Sequence, residues 1–300
     1  MHTREEKYAR FLELGWEKSQ QSDAVFNFLH AAAMEAGPDD VIVDLGAGQC
    51  RYKFFFEHAR YIAVDFGLGD DRWDYSQLDV LGDITRLDFL KDNSVDFCLS
   101  TVTLEHLNDP QTFFDNTLRI LKPGGKLFLY VPFVSYEHQQ PYDFYRYTSF
   151  GLRHLASAYE QVTVTPSNDF METAASMLRL AFQHYRFVDE DSRVAKEMLE
   201  CKDLMESRLF PLMRRLSTAG ESAIGAFPIC WLMTAAKPGE RPPSPEFSNT
   251  QQVLQKIIRC PSCEKRLLLQ EKDCTCMACG KKYPRINGIL NVTPHGALHL

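Results

Sequence analysis

Apolar positions along this chain follow two different periods. Near the N-terminus, "YARFLELGW" and "DAVFNFLHAAAMEAG" repeat apolar residues at helical spacing. From residue 41 the pattern changes to short apolar runs: "VIVDLG" (41–46), "YIAVDF" (61–66), "QLDVLGD" (77–83), "VDFCLS" (95–100) and "KLFLYVPF" (126–133). Runs of this length predict strands. Between them lie helical candidates, of which "QTFFDNTLRILKPGG" is the clearest. Phe114, Leu118 and Leu121 recur there at helical spacing, and Lys122-Pro123-Gly124-Gly125 supplies the stop. Strands alternating with helices predict an α/β fold with a mainly parallel, twisted sheet. Ligands of such folds sit beyond the carboxyl ends of the strands.

From 169 to about 218 the pattern stays helical long enough to be an insertion. Met171, Ala174, Leu178, Phe182 and Tyr185 form one stripe. Val194, Met198, Cys201, Met205, Leu209, Leu212 and Leu216 form another, and Pro211 is expected to kink or divide that helix. The stripes can pack on the sheet or on each other. They can equally form an acceptor lid, a dimer face or a peripheral membrane contact, the last favoured by arginines 179, 186, 214 and 215. "FPICWLMTAAKPG" restores a strand, and "KPGERPPSPEFSN" is a proline-rich linker. The expected division is 1–238 for the α/β domain, 239–251 for the linker and 252–300 for a small terminal domain.

Composition narrows the class. Apolar content of 45% and charged content of 24% are ordinary for a folded globular chain of 300 residues. The net charge of −7 argues against an extended nucleic-acid footprint, which needs a basic face. The longest uncharged apolar run, Ile224 to Ala236, contains Pro228 and falls short of the roughly 20 residues that cross a bilayer. The charged start "MHTREEKYAR" lacks the apolar core of a secretory signal, so the expected location is the cytoplasm.

"VIVDLGAGQC" carries the first candidate chemistry: a strand with Asp44, then Gly46 and Gly48, then a predicted helix. Glycines there let the backbone approach a ligand, and a helix start offers free amides. Arg51 stands where a dinucleotide fingerprint would place its third glycine, which disfavours NAD. Asp65 ends the next strand, where a carboxylate can accept from both ribose hydroxyls. Asp83 ends the third strand in "GDIT" and can accept from an adenine amino group, with Ile84 covering the ring face. Each acid taken singly has a capping alternative; three at successive strand ends point to a nucleotide-like ligand.

"VIVDLGAGQ", "YIAVDF", "GDITRLDF", "VDFCLSTVTLEHLNDP" and "LKPGGKLFLYVPF" together resemble the successive motifs of class I S-adenosylmethionine-dependent methyltransferases of the type 11 kind, across residues 41–133. The resemblance implies a Rossmann-like, seven-stranded, mainly parallel sheet with helices on both faces and the insertion before the last strand. It implies S-adenosylmethionine as cofactor, with Gly46 and Gly48 along its methionine part, Asp65 at the ribose, and Asp83 with Ile84 at the adenine. Asp44 and Ser100, at the ends of the first and fourth strands, complete the candidate cofactor residues.

On the acceptor side, Glu105 and His106 of "TLEHLNDP" approach the methyl end, where His106 is a candidate base or a structural residue. The loop "SYEHQQPYDFYRYTSFGLRHL" adds His138, Asp143 and Arg146 among Tyr136, Tyr142, Tyr145 and Tyr147. It resembles the H…P-x-D-F-x-R pattern of many bacterial methyltransferases. His138 can act as base, and Arg146 can grip an anionic acceptor. Alternatively Asp143 and Arg146 pair internally and hold the loop shut. The (Asp/Asn)-Pro-Pro-(Tyr/Phe) motif of the resembling amide and base-amino methylating enzymes is replaced by "STVTLEH", which favours an oxygen or ordinary amine acceptor.

Five of the nine cysteines fall between Cys260 and Cys279. Cys260-x2-Cys263, a twelve-residue gap and Cys276-x2-Cys279 can surround one zinc ion with four thiolates and no open position, a structural site. Cys274 is a spare that can compete with Cys276. "IIRCPSCEKRLLL" and "CMACGKKYPRINGIL" also resemble, over residues 252–292, the zinc-ribbon subunit that activates several tRNA, ribosomal-RNA and protein methyltransferases. The resemblance implies that the ribbon docks on this chain's own methyltransferase domain or on that of a second copy, making a homodimer; a mobile substrate-recruiting module is the rival. The expected function is methyl transfer to an oxygen or nitrogen of a small-molecule, saccharide or lipid-linked acceptor. RNA or translation-factor methylation and a non-catalytic cofactor-binding module are the alternatives.

Overall fold

The computed structural model describes residues 2–69, 72–184, 193–219 and 226–293. Two capped helices open the chain. In α1 (Arg4–Glu13) Thr3 and Glu6 close a reciprocal capping box. In α2 (Gln20–Glu35) Ser19 and Ser22 do the same, and Val25, Phe26, Leu29 and Ala33 are buried along one face.

Strands β1 (Val41–Leu45), β2 (Arg60–Asp65), β3 (Val80–Leu81), β4 (Val95–Thr101) and β5 (Leu121–Pro132) pair in parallel. Before β5 comes α3 (Pro110–Ile120), started by the Asp109 cap and Pro110 in its first turn. After β5 come α4 (Ser149–Leu155) and β6 (Glu160–Pro166), then the insertion: α5 (Phe170–His184), α6 (Arg193–Leu204) and α7 (Phe210–Ala219). β7 (Cys230–Ala236) runs antiparallel to both β5 and β6. These seven strands take the order β6-β7-β5-β4-β1-β2-β3 of a Rossmann-like sheet. One face packs on α1 and α2 through Phe11, Phe26 and Phe55. The other packs on α3 and α4 through Phe113, Phe114 and Leu152.

The structure differs from the sequence expectations at three places. The third strand shrinks from 77–83 to the two residues of β3, flanked by Asp79 and Gly82, whose amides donate to the Ala63 and Asp65 carbonyls of β2. The helix expected after Gly48 is a single 3-10 turn, Lys53–Phe56, entered through Cys50 at φ 55°. Phe54, Phe55 and Phe56 are all buried in that turn. β6 is an exposed edge strand whose weak Val162 and Val164 alternation did not stand out. Within the insertion the second helix is divided next to Pro211, as expected, through a π-helical turn, Met205–Leu209, between α6 and α7.

α5 and α7 pack together, with Arg179 over the Phe210 ring and paired with Glu206. The second insertion stripe remains largely exposed at Val194, Leu209, Leu212 and Leu216. Tyr185, Arg186 and Ile224 lie outside the described residues. Among the described residues, no helix is long and apolar enough to cross a membrane.

The terminal segment continues the same core. α8 (Thr250–Ile257) buries Val253, Leu254 and Ile257 on the face where the short β3–β4 connection supplies only a 3-10 turn, Leu87–Phe89. Lys91 donates to the Ile257 carbonyl (2.8 Å) and Arg259 to that of Phe89 (2.7 Å). Then β8 (Leu267–Leu269), β9 (Asp273–Cys276), β10 (Lys282–Ile286) and β11 (Ile289–Asn291) form an antiparallel ribbon whose last strand pairs in parallel with β3. The β3 edge of the main sheet is thereby covered within the chain. The proline-rich stretch is tied down too. Ser244 donates to Asp40 (2.8 Å) and Asp96 (2.9 Å), and the Lys122 ammonium reaches both Asp96 and Ser244.

Candidate functional site

A cleft of about 740 Å³ opens beyond the carboxyl ends of β1, β2 and β4. Its floor is the turn after β1. Gly46 has φ 82°, and a side chain there would overlap Thr103; Gly48 has φ 52° and lies under the Trp73 ring. Only glycine suits the first position, on both conformational and steric grounds. Asp65 fastens the turn, accepting from the amides of Gly48 (2.9 Å) and Gly67 (2.7 Å). Burial raises its carboxyl above the ordinary value, against the pull of those amides and that of Phe66. Each carboxylate oxygen has a second lone pair, so two hydroxyls can still be accepted. Asp83 and Ile84 line the same wall, with Asp83 Oδ1 accepting from Thr85 through its amide (2.9 Å) and its hydroxyl (2.6 Å).

Of the predicted cofactor residues, Gly46, Gly48, Asp65, Asp83 and Ile84 line the cleft, and two do not. Asp44 is buried beneath the turn, where the Tyr61 hydroxyl donates to one of its oxygens and the other has no partner. Burial pushes its carboxyl up to about 7, opposed by the Tyr61 bond. Ser100 is buried and donates to the Leu45 carbonyl (2.7 Å), bracing β4 against β1. Both point away because strand side chains alternate, and these two fall on inward positions. Trp16, Tyr52, Trp73 and Tyr130 line the cleft without having been singled out. Trp16 was visible only as the end of an apolar run, and Trp73 sits in a polar segment without periodicity.

At the acceptor end, the 3-10 turn Leu104–His106 meets the loop after β5. His106 and His138 line the cleft with Tyr142 and Phe144. His106 Nδ1 donates to the Tyr142 carbonyl (2.6 Å) and His138 Nδ1 to that of Tyr136 (3.0 Å). A carbonyl can only accept, so each ring carries a proton on Nδ1, and in the neutral ring Nε2 is the bare nitrogen. Burial lowers the proton affinity of His106.

Asp143 and Arg146 fill the internal role. Their two bonds measure 2.6 and 2.8 Å, and the same guanidinium donates to the carbonyls of Tyr136 (2.8 Å) and Tyr145 (2.8 Å). The Arg146 fork therefore holds the loop and has little left for an anionic acceptor. Its hydrogen bonds hold the Asp143 carboxyl far below the usual carboxylate range. Glu105, adjacent to His106, is fully buried with its carboxylate turned towards both imidazoles.

In the ribbon, Cys260, Cys263, Cys276 and Cys279 converge with all four sulfurs within 4.8 Å of one another. Sγ–Sγ distances are 3.8 Å for Cys260 to Cys279 and 3.4 Å for Cys263 to Cys276. A tetrahedral zinc with Zn–S of about 2.3 Å needs sulfurs about 3.8 Å apart, so the cage fits that ion. Each knuckle turns back through a left-handed residue directly after its second cysteine, Glu264 (φ 56°) and Gly280 (φ 72°). Amides of Cys279 and Ala278 point at Cys276 Sγ (3.4 Å each) and draw its thiol below the ordinary value. Cys274 is buried outside the cluster, which leaves Cys276 as the third member.

No curated protein matches the chain. Among solved structures it is similar to a methyltransferase of Archaeoglobus fulgidus described as SAM dependent (13% identity, 77% of this chain and 100% of that one, TM-score 0.47). It is also similar to a complex between the Haloferax volcanii Trm112 methyltransferase activator and a methyltransferase (19%, 74% and 99%, 0.41). A third is Haemonchus contortus phosphoethanolamine N-methyltransferase 2 with S-adenosyl-L-methionine (15%, 70% and 52%, 0.39), of whose length this chain spans about half. Residues 43–129, from β1 to β5, match the methyltransferase domain family, and the sheet that carries them has the Rossmann-like methyltransferase fold.

Proposed function

We propose that this chain transfers a methyl group from S-adenosylmethionine to an oxygen or nitrogen of a small-molecule, saccharide or lipid-linked acceptor. The observation that carries the reading is a single cleft with two unlike ends. One end has the glycine turn, Asp65, Asp83 and Ile84; the other has His106, His138 and Tyr142. When bound, the cofactor supplies an electrophilic methyl with its leaving group already attached. The residues of the chain then have mainly to position and desolvate, which can lower a barrier by several kcal/mol. Asp65 holds the ribose hydroxyls with its spare lone pairs, and the other oxygen of Asp83 accepts from the adenine amino group while Ile84 covers the ring. Tyr142 and Phe144 flank the acceptor end, where His106 and His138 also line the cleft. The four-cysteine cage holds zinc as a closed structural site, because four thiolates leave no position for substrate.

The test is calorimetric titration of the full, zinc-loaded chain with S-adenosylhomocysteine, beside Asp65→Ala and Asp83→Ala. Micromolar binding by the unmutated chain, weakened about tenfold or more by Asp65→Ala, is expected for the loss of charge-assisted hydrogen bonds. A folded, unmutated chain that does not bind overturns the reading.

A further inference from the structure

The acceptor end of the cleft holds a cluster whose electrostatics do not balance. Glu105 is 0% exposed, and neither carboxylate oxygen has a hydrogen-bond partner in another residue. Its Oε1 faces His106 Nε2 at 3.8 Å and His138 Nε2 at 3.9 Å, too far for a hydrogen bond in either case. His106 Nε2 is itself buried without a partner. Since both rings keep their protons on Nδ1 against backbone carbonyls, the two Nε2 lone pairs and the carboxylate lone pairs all converge on one spot. Acceptors facing acceptors in a buried place repel unless a proton or a cation lies between them, and gaps of 3.8 and 3.9 Å are too long for a shared proton.

We propose that Glu105, His106 and His138 hold a divalent transition-metal cation at the acceptor end of the cleft. The three ligand atoms lie within 4.8 Å of one another. A cation about 2.1 Å from each would need them about 3.4 Å apart in a tetrahedral arrangement, a few tenths of an ångström closer than the 3.8 and 3.9 Å seen for the glutamate–histidine pairs. Two imidazoles and one carboxylate select zinc, manganese, iron or cobalt over magnesium and calcium, which prefer all-oxygen shells. The outer contacts suit a metal site as well: each ligating histidine has its other nitrogen fixed by a backbone carbonyl. Asp143, gripped by Arg146, stands 3.3 Å from His138 Nδ1. Three protein ligands leave further coordination positions, and of the three His106 and His138 line the cleft. On the methyl-transfer reading, on which this last step rests, the cation takes an acceptor oxygen as a further ligand and lowers the affinity of its hydroxyl for the proton. That singles out a hydroxyl-bearing acceptor.

Manganese distinguishes the two clusters, because it binds thiolates poorly and leaves the ribbon's zinc in place. Mn2+ is titrated into the full zinc-loaded chain, with free Mn2+ read by its electron paramagnetic resonance signal and total metal by elemental analysis. The expected result is saturable uptake of one equivalent, or a second zinc equivalent already there, that Glu105→Gln and His138→Asn each weaken by about tenfold or more. Should Glu105→Gln fail to fold, His138→Asn, on the cleft-lining loop, carries the test. No uptake and no second equivalent in the unmutated chain overturns the proposal, as does uptake that both variants retain. Binding of S-adenosylhomocysteine by the same samples reports the methyltransferase reading separately.

Discussion

The molecule has two places where metal-ligating side chains converge, and they are built in opposite ways. The ribbon cluster is soft and closed: four cysteines on two short knuckles, with amides aimed at one sulfur. The cleft cluster is harder and open: a buried carboxylate and two imidazoles from two separate loops, facing the space where an acceptor would lie. The first suits holding a fold together, and the second suits chemistry, because only the second leaves a coordination position vacant. The difference also shows what each cluster depends on. The ribbon's ligands are set by local chain geometry, while those of the cleft are set by how the loops after β4 and β5 meet.

The comparison can be broken most severely at the ribbon. Cys260→Ser, or strong chelation, should remove a structural zinc whose binding is worth about 10 kcal/mol in small ribbons. Because Cys260, Leu267 and Leu290 share a core with Val80 and Leu87, the damage should cross into the main sheet. Hydrogen exchange should show lost protection at residues 289–292 and at 79–82 together. Loss confined to the ribbon would mean that the two parts are stabilised independently.

A smaller effect is expected from Arg146→Lys, which removes the two-pronged grip on Asp143 while leaving every cleft ligand in place. A lysine forms one such bond at a time, so the loop should loosen by about 1–3 kcal/mol. Faster exchange across 135–147, with the ribbon unchanged, would show that the open cluster depends on loop geometry as the closed one does not.

The smallest effect is a change of slope, at a group belonging to neither cluster. Asp44 has its folded value raised to about 7 from an ordinary value near 3.8. A carboxyl raised in this way stabilises the fold fully below its unfolded value, and the contribution is lost as pH rises through about 7. The slope has an upper bound of about 1.4 kcal/mol per pH unit for one proton. Asp44→Asn keeps an acceptor for Tyr61 and should flatten the fall in stability between about pH 4 and 7, measured by urea unfolding. An unchanged slope would mean that Asp44 remains ionised in the fold.

Much of the fold was legible because its signals are local. The apolar runs of β1, β2, β4 and β5 are buried on both faces and read as such. β6 was missed because an exposed edge strand carries few apolar residues. The helix after Gly48 was expected from the motif and replaced by a corner, since burying Phe54, Phe55 and Phe56 together outweighs local helical preference. Gly46, Gly48 and Asp65 line the cleft as the sequence suggests, because their turn has few conformational solutions. Asp44 and Ser100 were placed wrongly on the cleft wall because sequence shows that a residue ends a strand, but not which way its side chain turns.

By itself the sequence determined what lies within a few residues of itself along the chain: the alternation of strand and helix, the glycine turn, the proline that divides the insertion, and cysteine pairs spaced to close a knuckle. These follow from backbone stereochemistry and periodicity, which act over one or two turns of chain. Tertiary structure alone decided that β11 should lie on the edge of β3, and that Glu105 should face His106 and His138. Both depend on where distant segments come to rest, which is set by the packing of the whole core.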